Sequence, residues 1–217
     1  MCGRYANHVK QMHGWAELLS DWPENAEIGY NIAPTQMVPT FTAERGFAMR
    51  WGMVPSWSKE PTSRYATFNA RCESVAEKPA FRNAWKQSNT CLIPALGYYE
   101  WKGAKGAKQP WFIRPKEETP LVMAGLWERW QDQEQTLLSC TILTQASKGK
   151  LETLHSRMPL MLDLEQAEQW LHDGTAVFDR LIAEQHIDTV DFYPVSTAVN
   201  KSSTEGETLI TPLETTK

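Results

Sequence analysis

The stretch "NTCLIPALGYYEW" (89–101) combines Ile, Tyr and Trp with other apolar residues, and this composition is typical of β-strands. Four similar runs predict further strands: "GFAMRWGMV" (46–54), "PWFIRP" (110–115), "PLVMAGLWERW" (120–130) and "TLLSCTILT" (136–144). Turn-rich pieces separate the runs, and "KGAKGAKQP" (102–110) predicts a hairpin loop. Strands therefore dominate the centre of the chain.

Helices are predicted on both sides of this central region. "DLEQAEQWLHDG" (163–174) predicts a helix with Asp163 as N-cap and Gly174 at its C-terminal end. Two weaker helices are predicted over 9–22 and over 73–87, where Pro79 interrupts the pattern, and "VDFYPVS" (190–196) returns to strand.

These elements predict an α+β fold, in which a curved, barrel-like antiparallel β-sheet core carries peripheral helices. The whole chain, residues 1–217, is predicted to be a single domain, and about 15 residues at its C-terminal end form a candidate tail.

Composition limits the class of protein. The 217 residues are 41% hydrophobic and 22% charged, which are ordinary values for a globular domain. No apolar run reaches the roughly 18 residues of a membrane span, and the first residues lack a signal-peptide pattern, so a cytoplasmic location is predicted. The four cysteines are scattered without a CxxC pair, so neither a disulfide framework nor a metal site is expected, and no cofactor is predicted. Cys72, Cys91 and Cys140 are interpreted as core thiols.

The net charge of −4 conceals a strong asymmetry. Residues 1–116 hold 15 Lys and Arg against 9 Asp and Glu, whereas residues 117–217 hold 7 against 17. The window 45–116 is the most basic, with 13 basic and 4 acidic residues. A face built from this window could bind a polyanion, unless the charges of the two halves mix on the surface.

The chain starts "MCGRYANH", with Cys2 next to the initiator methionine. Because cysteine is small, removal of Met1 is expected, and the mature chain would then begin with Cys2. Its amine and thiol stand on adjacent carbons, so together they can capture an aldehyde as an imine and close it to a thiazolidine ring. An α-amino group with a pKa of about 7.7 is roughly one-sixth unprotonated at pH 7, about 400-fold more than a lysine.

Five other stretches carry polar or aromatic residues in unusual contexts: "YNIAPTQ" (30–36), "RWGMVPSW" (50–57), "FNARCES" (68–74), "GYYEWK" (97–102) and "LHSRMPLML" (154–162). The first predicts Asn31 and Pro34 in a non-repetitive segment, and the third predicts Asn69 and Arg71 at the start of a helix. Each stretch alone also has an ordinary structural interpretation. Asn69 could be a capping amide, Glu100 a carboxylate at the rim of the sheet and His155 a surface histidine.

Glu100 stands within an aromatic strand, where Tyr98 and Glu100 are predicted to share one face and Tyr99 and Trp101 the other. A carboxylate in such a strand is either paired with a basic group, functional, or exposed at a rim.

Taken in order with "CGRY" and the closing "PVSTAVN" (194–200), these motifs resemble the SOS response-associated peptidase (SRAP) family across nearly the whole chain. The resemblance implies a sensor of abasic sites in single-stranded DNA. In this family the N-terminal cysteine links covalently to the ring-opened abasic sugar, after a processing step that is proposed to be autocatalytic. An abasic-site lyase side activity is a further expectation.

The resemblance also implies roles for individual residues. Cys2 would be the nucleophile, Glu100 a general acid and base, His155 a proton donor, and Asn69 a holder of the amine or sugar. The predicted DNA-binding residues are Arg4, Asn31, Pro34, Trp57, Arg71 and Arg157, with arginines on phosphates and Trp57 and Pro34 against bases. A monomer is expected.

Three alternatives remain open at the level of sequence. Cys2 could be the nucleophile of an N-terminal-nucleophile amidohydrolase, with its own amine as base. It could form a dyad with His155 in a thiol peptidase acting on other proteins. The chain could also be a non-enzymatic single-strand binding module with an incidental cysteine. Only the covalent DNA hypothesis requires amine, thiol and aldehyde together.

Overall fold

Two β-sheets carry most of the chain in the computed structural model, which describes residues 2–8, 15, 18–104, 106–185 and 187–214. The strands are β1 (Tyr5–Asn7), β2 (Gly29–Ile32), β3 (Met37–Phe41), β4 (Gly46–Trp51), β5 (Asn69–Arg71), β6 (Thr90–Ala95), β7 (Gly97–Lys102), β8 (Gln109–Pro115), β9 (Leu121–Gln131), β10 (Thr136–Ala146), β11 (Arg157–Pro159), β12 (Met161–Leu162) and β13 (Val190–Pro194). The first sheet is antiparallel and has the order β13-β8-β7-β1-β2.

The second sheet closes on itself. Its path runs β11-β10-β4-β3-β6-β9-β12, and a further pairing of β9 with β10 joins five of these strands into a ring. Most pairings are antiparallel, but β10 runs parallel to β4 and to β5. A barrel-like sheet in an α+β fold is therefore confirmed, with two parallel pairings added to it.

The helices lie outside the sheets and are short: α1 (Arg82–Lys86), α2 (Leu164–His172) and α3 (Phe178–Ala183). The prediction for α2 is confirmed, since the Asp163 side chain accepts from the Gln166 backbone in a capping box and Gly174 has a φ of 63°. Short 3-10 helices cover Gly149–Thr153, Gly174–Val177, Ile187–Thr189, Thr197–Asn200 and Glu207–Ile210.

The interior holds two large apolar clusters. One lies between the strand ring and α2 and α3, and it includes Trp170 and Phe178. The other lies between the two sheets and includes Trp51, Tyr98 and the Cys2 side chain. Cys72, Cys91 and Cys140 are free thiols and buried, as predicted. Within the described residues, no helix is long and apolar enough to cross a membrane.

Four local predictions are corrected by the structure. The run 89–101 forms two strands, β6 and β7, because the chain turns at Leu96, whose backbone N–H donates to Ala6. Asn31 lies within β2, and Asn69 and Arg71 lie in β5, because β10 offers a parallel partner to that short segment. The sequence predicts Arg157 just before an apolar strand, whereas in the structure it is the first residue of β11.

The helix predicted over 73–87 is confined to α1, since Pro79 and the turns before it cannot continue a helical hydrogen-bond ladder. The helix predicted over 9–22 falls mainly on residues outside those described, as does Met1. Of the candidate tail, the described part packs against the first sheet, and Leu209 is buried there.

Candidate active site

Cys2 lies at the junction of the two sheets. It precedes β1, which runs antiparallel to β7, so the residues ahead of Tyr5 lie beside those that follow Tyr98, including Glu100. From the other sheet, the Asn69 side-chain amide donates to the Cys2 carbonyl oxygen at 2.7 Å. One residue from each sheet therefore approaches the start of the chain.

The Cys2 thiol is 1% exposed. Burial raises the pKa of this thiol far above its ordinary value, and the neighbouring Glu100 carboxylate raises it further. The group is therefore a neutral thiol at physiological pH, unlike the thiolates of cysteine peptidases, whose pKa is lowered by their surroundings.

Glu100 and His155 form a pair at the same place. Glu100 is buried on β7, and its Oε1 lies 3.7 Å from Nε2 of the half-buried His155. The Arg157 backbone N–H donates to His155 Nδ1 at 3.0 Å, so the proton of the neutral ring belongs on Nε2, facing Glu100. This arrangement supplies a carboxylate near the Cys2 thiol and, next to that carboxylate, an imidazole N–H.

Asn69 has one unused group in this site. Its amide nitrogen is bound to Cys2, but its Oδ1 is buried and has no hydrogen-bond donor among the described residues. A buried amide oxygen without a donor costs free energy, so it is suited to receive a hydroxyl or amine of a bound molecule.

Arg157 is held by the protein itself. Its guanidinium makes two hydrogen bonds to Glu73, of 2.6 and 2.8 Å, and a further one to the Thr144 carbonyl. The hydrogen bonds that Arg157 donates to Glu73 lower the pKa of this carboxyl group. The Arg157–Glu73 ion pair joins β11 to the segment after β5. The phosphate contact predicted for Arg157 stays a prediction.

Arg4 and Asn31 form a second internal network. Arg4 Nη1 donates to Asn31 Oδ1 at 2.6 Å and to the Val199 carbonyl at 2.8 Å. Asn31 in turn donates to the Lys201 and Thr204 carbonyls, so its side chain is fully used inside the protein. The network ties the N-terminal segment to the C-terminal one, and DNA contacts by either residue remain predictions.

The remaining predicted DNA-binding residues reach the surface. Trp57 is 59% exposed, and its indole N–H donates to the Pro79 carbonyl at 3.2 Å. Arg71 is exposed at the end of β5, and Pro34 is half-buried in the turn between β2 and β3. Of the predicted site residues, the fold therefore brings Cys2, Asn69, Glu100 and His155 together, whereas Trp57, Arg71 and Pro34 reach the surface.

Sequence reasoning gave no role to Glu73 and Thr144, which fix Arg157. The position of Glu73, two residues after Arg71 in a polar cluster, is a signal that could have suggested an ion pair. Nothing local in the sequence indicates that Thr144 is near. Within the part of the chain that the structure describes, no group of three or more His, Cys, Asp or Glu side chains could hold a metal ion.

The site and fold define a class of protein with a buried thiol at the second residue, flanked by an amide and a carboxylate–imidazole pair between two sheets. The sequence profile of the SOS response associated peptidase (SRAP) family matches residues 1–202. The chain belongs to this family.

Related proteins occur in bacteria and in animals. The chain is 35% identical over 190 residues to the abasic site processing protein YoqW of Bacillus subtilis, covering 83% of this chain and 84% of that one. It is 34% identical over 209 residues to the abasic site processing protein HMCES of Xenopus tropicalis, covering 80% and 62%.

Solved structures share the fold. A protein from Bacteroides thetaiotaomicron superimposes with a TM-score of 0.83 at 22% identity, covering 98% of this chain and all of that chain. A phage-related protein from Bordetella bronchiseptica gives a TM-score of 0.65 at 27% identity, covering 89% and 94%.

Proposed function

We propose that this protein senses abasic sites in single-stranded DNA and bonds to them covalently through Cys2 after Met1 is removed. The observation that carries the proposal is the position of Cys2, buried beside Glu100 and bound through its carbonyl to Asn69. The names of the relatives support the substrate, since several of them are called abasic site processing proteins.

The first step joins the Cys2 amine to the C1′ aldehyde of the open sugar. A carbinolamine forms and loses water, and a proton must reach the departing hydroxyl. Glu100 and His155 stand as the acid–base pair for this step, with the His155 Nε2 proton facing the carboxylate. The unused Asn69 Oδ1 accepts a hydrogen bond from the sugar hydroxyl or the amine.

The second step closes the ring. The Cys2 sulfur adds to the imine carbon, the thiol proton moves to the imine nitrogen through Glu100, and a thiazolidine results. The net reaction releases one water, with no oxidant or reductant. Ring closure removes the imine that would otherwise promote β-elimination of the 3′ phosphate, and so it protects the strand.

The carboxylate beside the Cys2 thiol supports this order of events over the rival functions. A peptidase or amidohydrolase needs a thiolate as its first nucleophile, and the negative charge of Glu100 disfavours a thiolate at Cys2. In the covalent DNA reaction the amine attacks first, and the thiol is needed only afterwards.

The test uses a single-stranded oligonucleotide with one abasic site, resolved on a denaturing gel. The wild-type protein should give a shifted band whose mass equals protein plus oligonucleotide minus one water. Cys2→Ala and an N-terminally extended variant should give none, and Cys72→Ala, which removes another buried thiol, should behave like the wild type.

Cys2→Ser separates the two steps. It keeps the amine but closes no thiazolidine, so its link should survive the gel only when borohydride has reduced the imine. If the wild-type protein gives no shifted band although Met1 is shown to be absent, the proposal is wrong. Amide substrates should then be tested, as the amidohydrolase alternative requires.

A further inference from the structure

One surface loop presents two aromatic side chains to solvent. We define the aromatic loop as residues 54–66, between β4 and β5. Trp57 is 59% exposed and Tyr65 is 75% exposed, and among the exposed large hydrophobic side chains of the described residues these are the two aromatic ones. Scattered exposed apolar side chains are normal, but two rings on one loop are a feature to explain.

The loop is closed and anchored at its base. The Met53 N–H donates to the Thr67 carbonyl at 3.2 Å, which pairs the two ends of the loop. The indole N–H of the buried Trp130 donates to the Ser58 carbonyl at 2.8 Å, and Val54 is bound to the Ser139 hydroxyl at 2.9 Å. The exposed rings thus stand on a well-held frame.

A buried polar cluster adds to the anchoring. Glu128, 4% exposed, accepts from Asn83 of α1 at 2.8 Å and from the loop residue Ser56 at 3.5 Å. Nearer the tip, the Ser63 hydroxyl bonds to both the N–H and the carbonyl of Tyr65. A surface that is ordered before binding loses less conformational entropy on binding.

The loop leads directly into the candidate active site. Tyr65 is four residues before Asn69, so their Cα atoms are at most about 14 Å apart. The exposed cations Lys59 and Arg64 stand on the same loop, and Arg64 is the direct neighbour of Tyr65. Aromatic rings interleaved with cations are the arrangement that holds unpaired nucleotides, by stacking and phosphate attraction.

We infer that Tyr65 is a second base-stacking position, which takes a nucleobase of the single strand that flanks the abasic site. The inference rests on the proposed function for the identity of the strand, and it adds a second ring to the stacking role predicted for Trp57. Tyr65 is a binding residue here and takes no part in the chemistry.

The test measures non-covalent affinity, so that it does not depend on the covalent step. The probe is a fluorescent single-stranded oligonucleotide whose central site is a tetrahydrofuran, which lacks both base and aldehyde. Binding is followed by anisotropy at fixed salt for the wild type, Tyr65→Ala, Tyr65→Phe and the control Leu164→Ala, an exposed apolar residue on α2.

Tyr65→Ala should weaken binding by at least about fivefold. This factor corresponds to the lower end of the free energy that one base–aromatic stack contributes. Tyr65→Phe should stay within about twofold of the wild type, since the ring remains. Leu164→Ala should bind like the wild type.

A second set of oligonucleotides identifies the base. In each, one flanking nucleotide is also replaced by tetrahydrofuran. At the stacked position, removal of the base should weaken wild-type binding by the factor seen for Tyr65→Ala and should add nothing to that variant.

Equal affinities of Tyr65→Ala and wild type, or a loss that is the same whichever base is removed, would overturn the inference. A wild-type protein that forms no covalent band but shows the Tyr65 and base coupling would retain the stacking position and contradict the proposed function. The two failures are therefore distinguishable.

Discussion

Asn69 holds the main chain of Cys2, the residue that reacts in the proposed function. Its single hydrogen bond to the Cys2 carbonyl connects β5 to the segment before β1. In the proposed reaction this contact determines where the amine lies relative to Glu100, and small displacements of a reacting group have large effects on rate.

Asn69→Ala should therefore slow formation of the covalent band by about tenfold to hundredfold. It should also lower the free energy of unfolding by about 1–3 kcal/mol, because the buried Cys2 carbonyl loses its donor. Time courses on denaturing gels and urea unfolding measure the two effects. Asn89→Ala, which removes an amide elsewhere, is the control, and an unchanged rate in Asn69→Ala would contradict the assigned role.

The Glu73–Arg157 pair gives a pH-dependent prediction. The pKa of Glu73 is lowered in the folded protein, so its contribution to stability is present above the unfolded carboxyl pKa of about 4.3 and is lost as pH falls below it. Because Glu73 is half-exposed, Glu73→Gln should cost at most about 1 kcal/mol at pH 6.

The stability gap between wild type and Glu73→Gln should then narrow towards pH 3. Urea unfolding at both pH values measures this, with the exposed Glu77→Gln as the matched control. If the difference in free energy of unfolding between wild type and Glu73→Gln does not change with pH, the negative charge of Glu73 is not the source of that difference.

At the scale of elements, β10 organises the molecule. It pairs with β4, β5, β9 and β11, and so it closes the ring and carries both the strand of Asn69 and the strand that follows His155. The closure between β9 and β10 leaves little space at Gly125. A Cβ added there would lie 2.3 Å from Ile93 Cδ1 and 2.7 Å from the Thr141 carbonyl.

Gly125→Ala should therefore destabilise the protein by about 1–3 kcal/mol through overpacking. Adding Ile93→Val, which removes the nearest methyl group, should recover part of the loss. The free energies of unfolding of the single and double variants measure this coupling. A neutral Gly125→Ala would show that the β9–β10 contact is looser than the structure indicates.

The elements also mark the limit of sequence-based prediction. The α2 helix was predictable to its ends because Asp163, Gln166 and Gly174 act within one segment. β5 was mistaken for a helix start because its strand character comes from β10, about 70 residues later in the chain. For the same reason the sequence indicated Asn69 and Cys2 as functional but not the bond between them.

For the whole molecule, the buried acidic groups predict a loss of stability in alkali. Burial raises the pKa of Cys72 and Cys140 to about 12 and that of Cys91, Tyr5 and Tyr98 well above the ordinary values. The folded protein retains these protons, while the unfolded chain releases them above about pH 8.5 for thiols. The contribution of these groups to stability is therefore complete below that pH and decreases as pH rises.

Urea unfolding under reducing conditions should show a free energy that falls steeply between pH 8 and 10. Each buried thiol contributes up to about 1.4 kcal/mol per pH unit above its unfolded pKa. Cys140→Ala should make the slope shallower by one such contribution. A pH-independent free energy across this range would contradict the burial of these groups.

The Arg4 network has a consequence for the time at which the segment that holds Cys2 reaches its place in the fold. Arg4 bonds to the Val199 carbonyl, 195 positions later, and Asn31 bonds to carbonyls beyond it. At about 5–20 residues per second, a ribosome takes roughly 10–40 s to make the intervening chain. Cys2 is thus synthesised long before Val199, and the nascent segment around it can make these contacts only after Val199 has been synthesised.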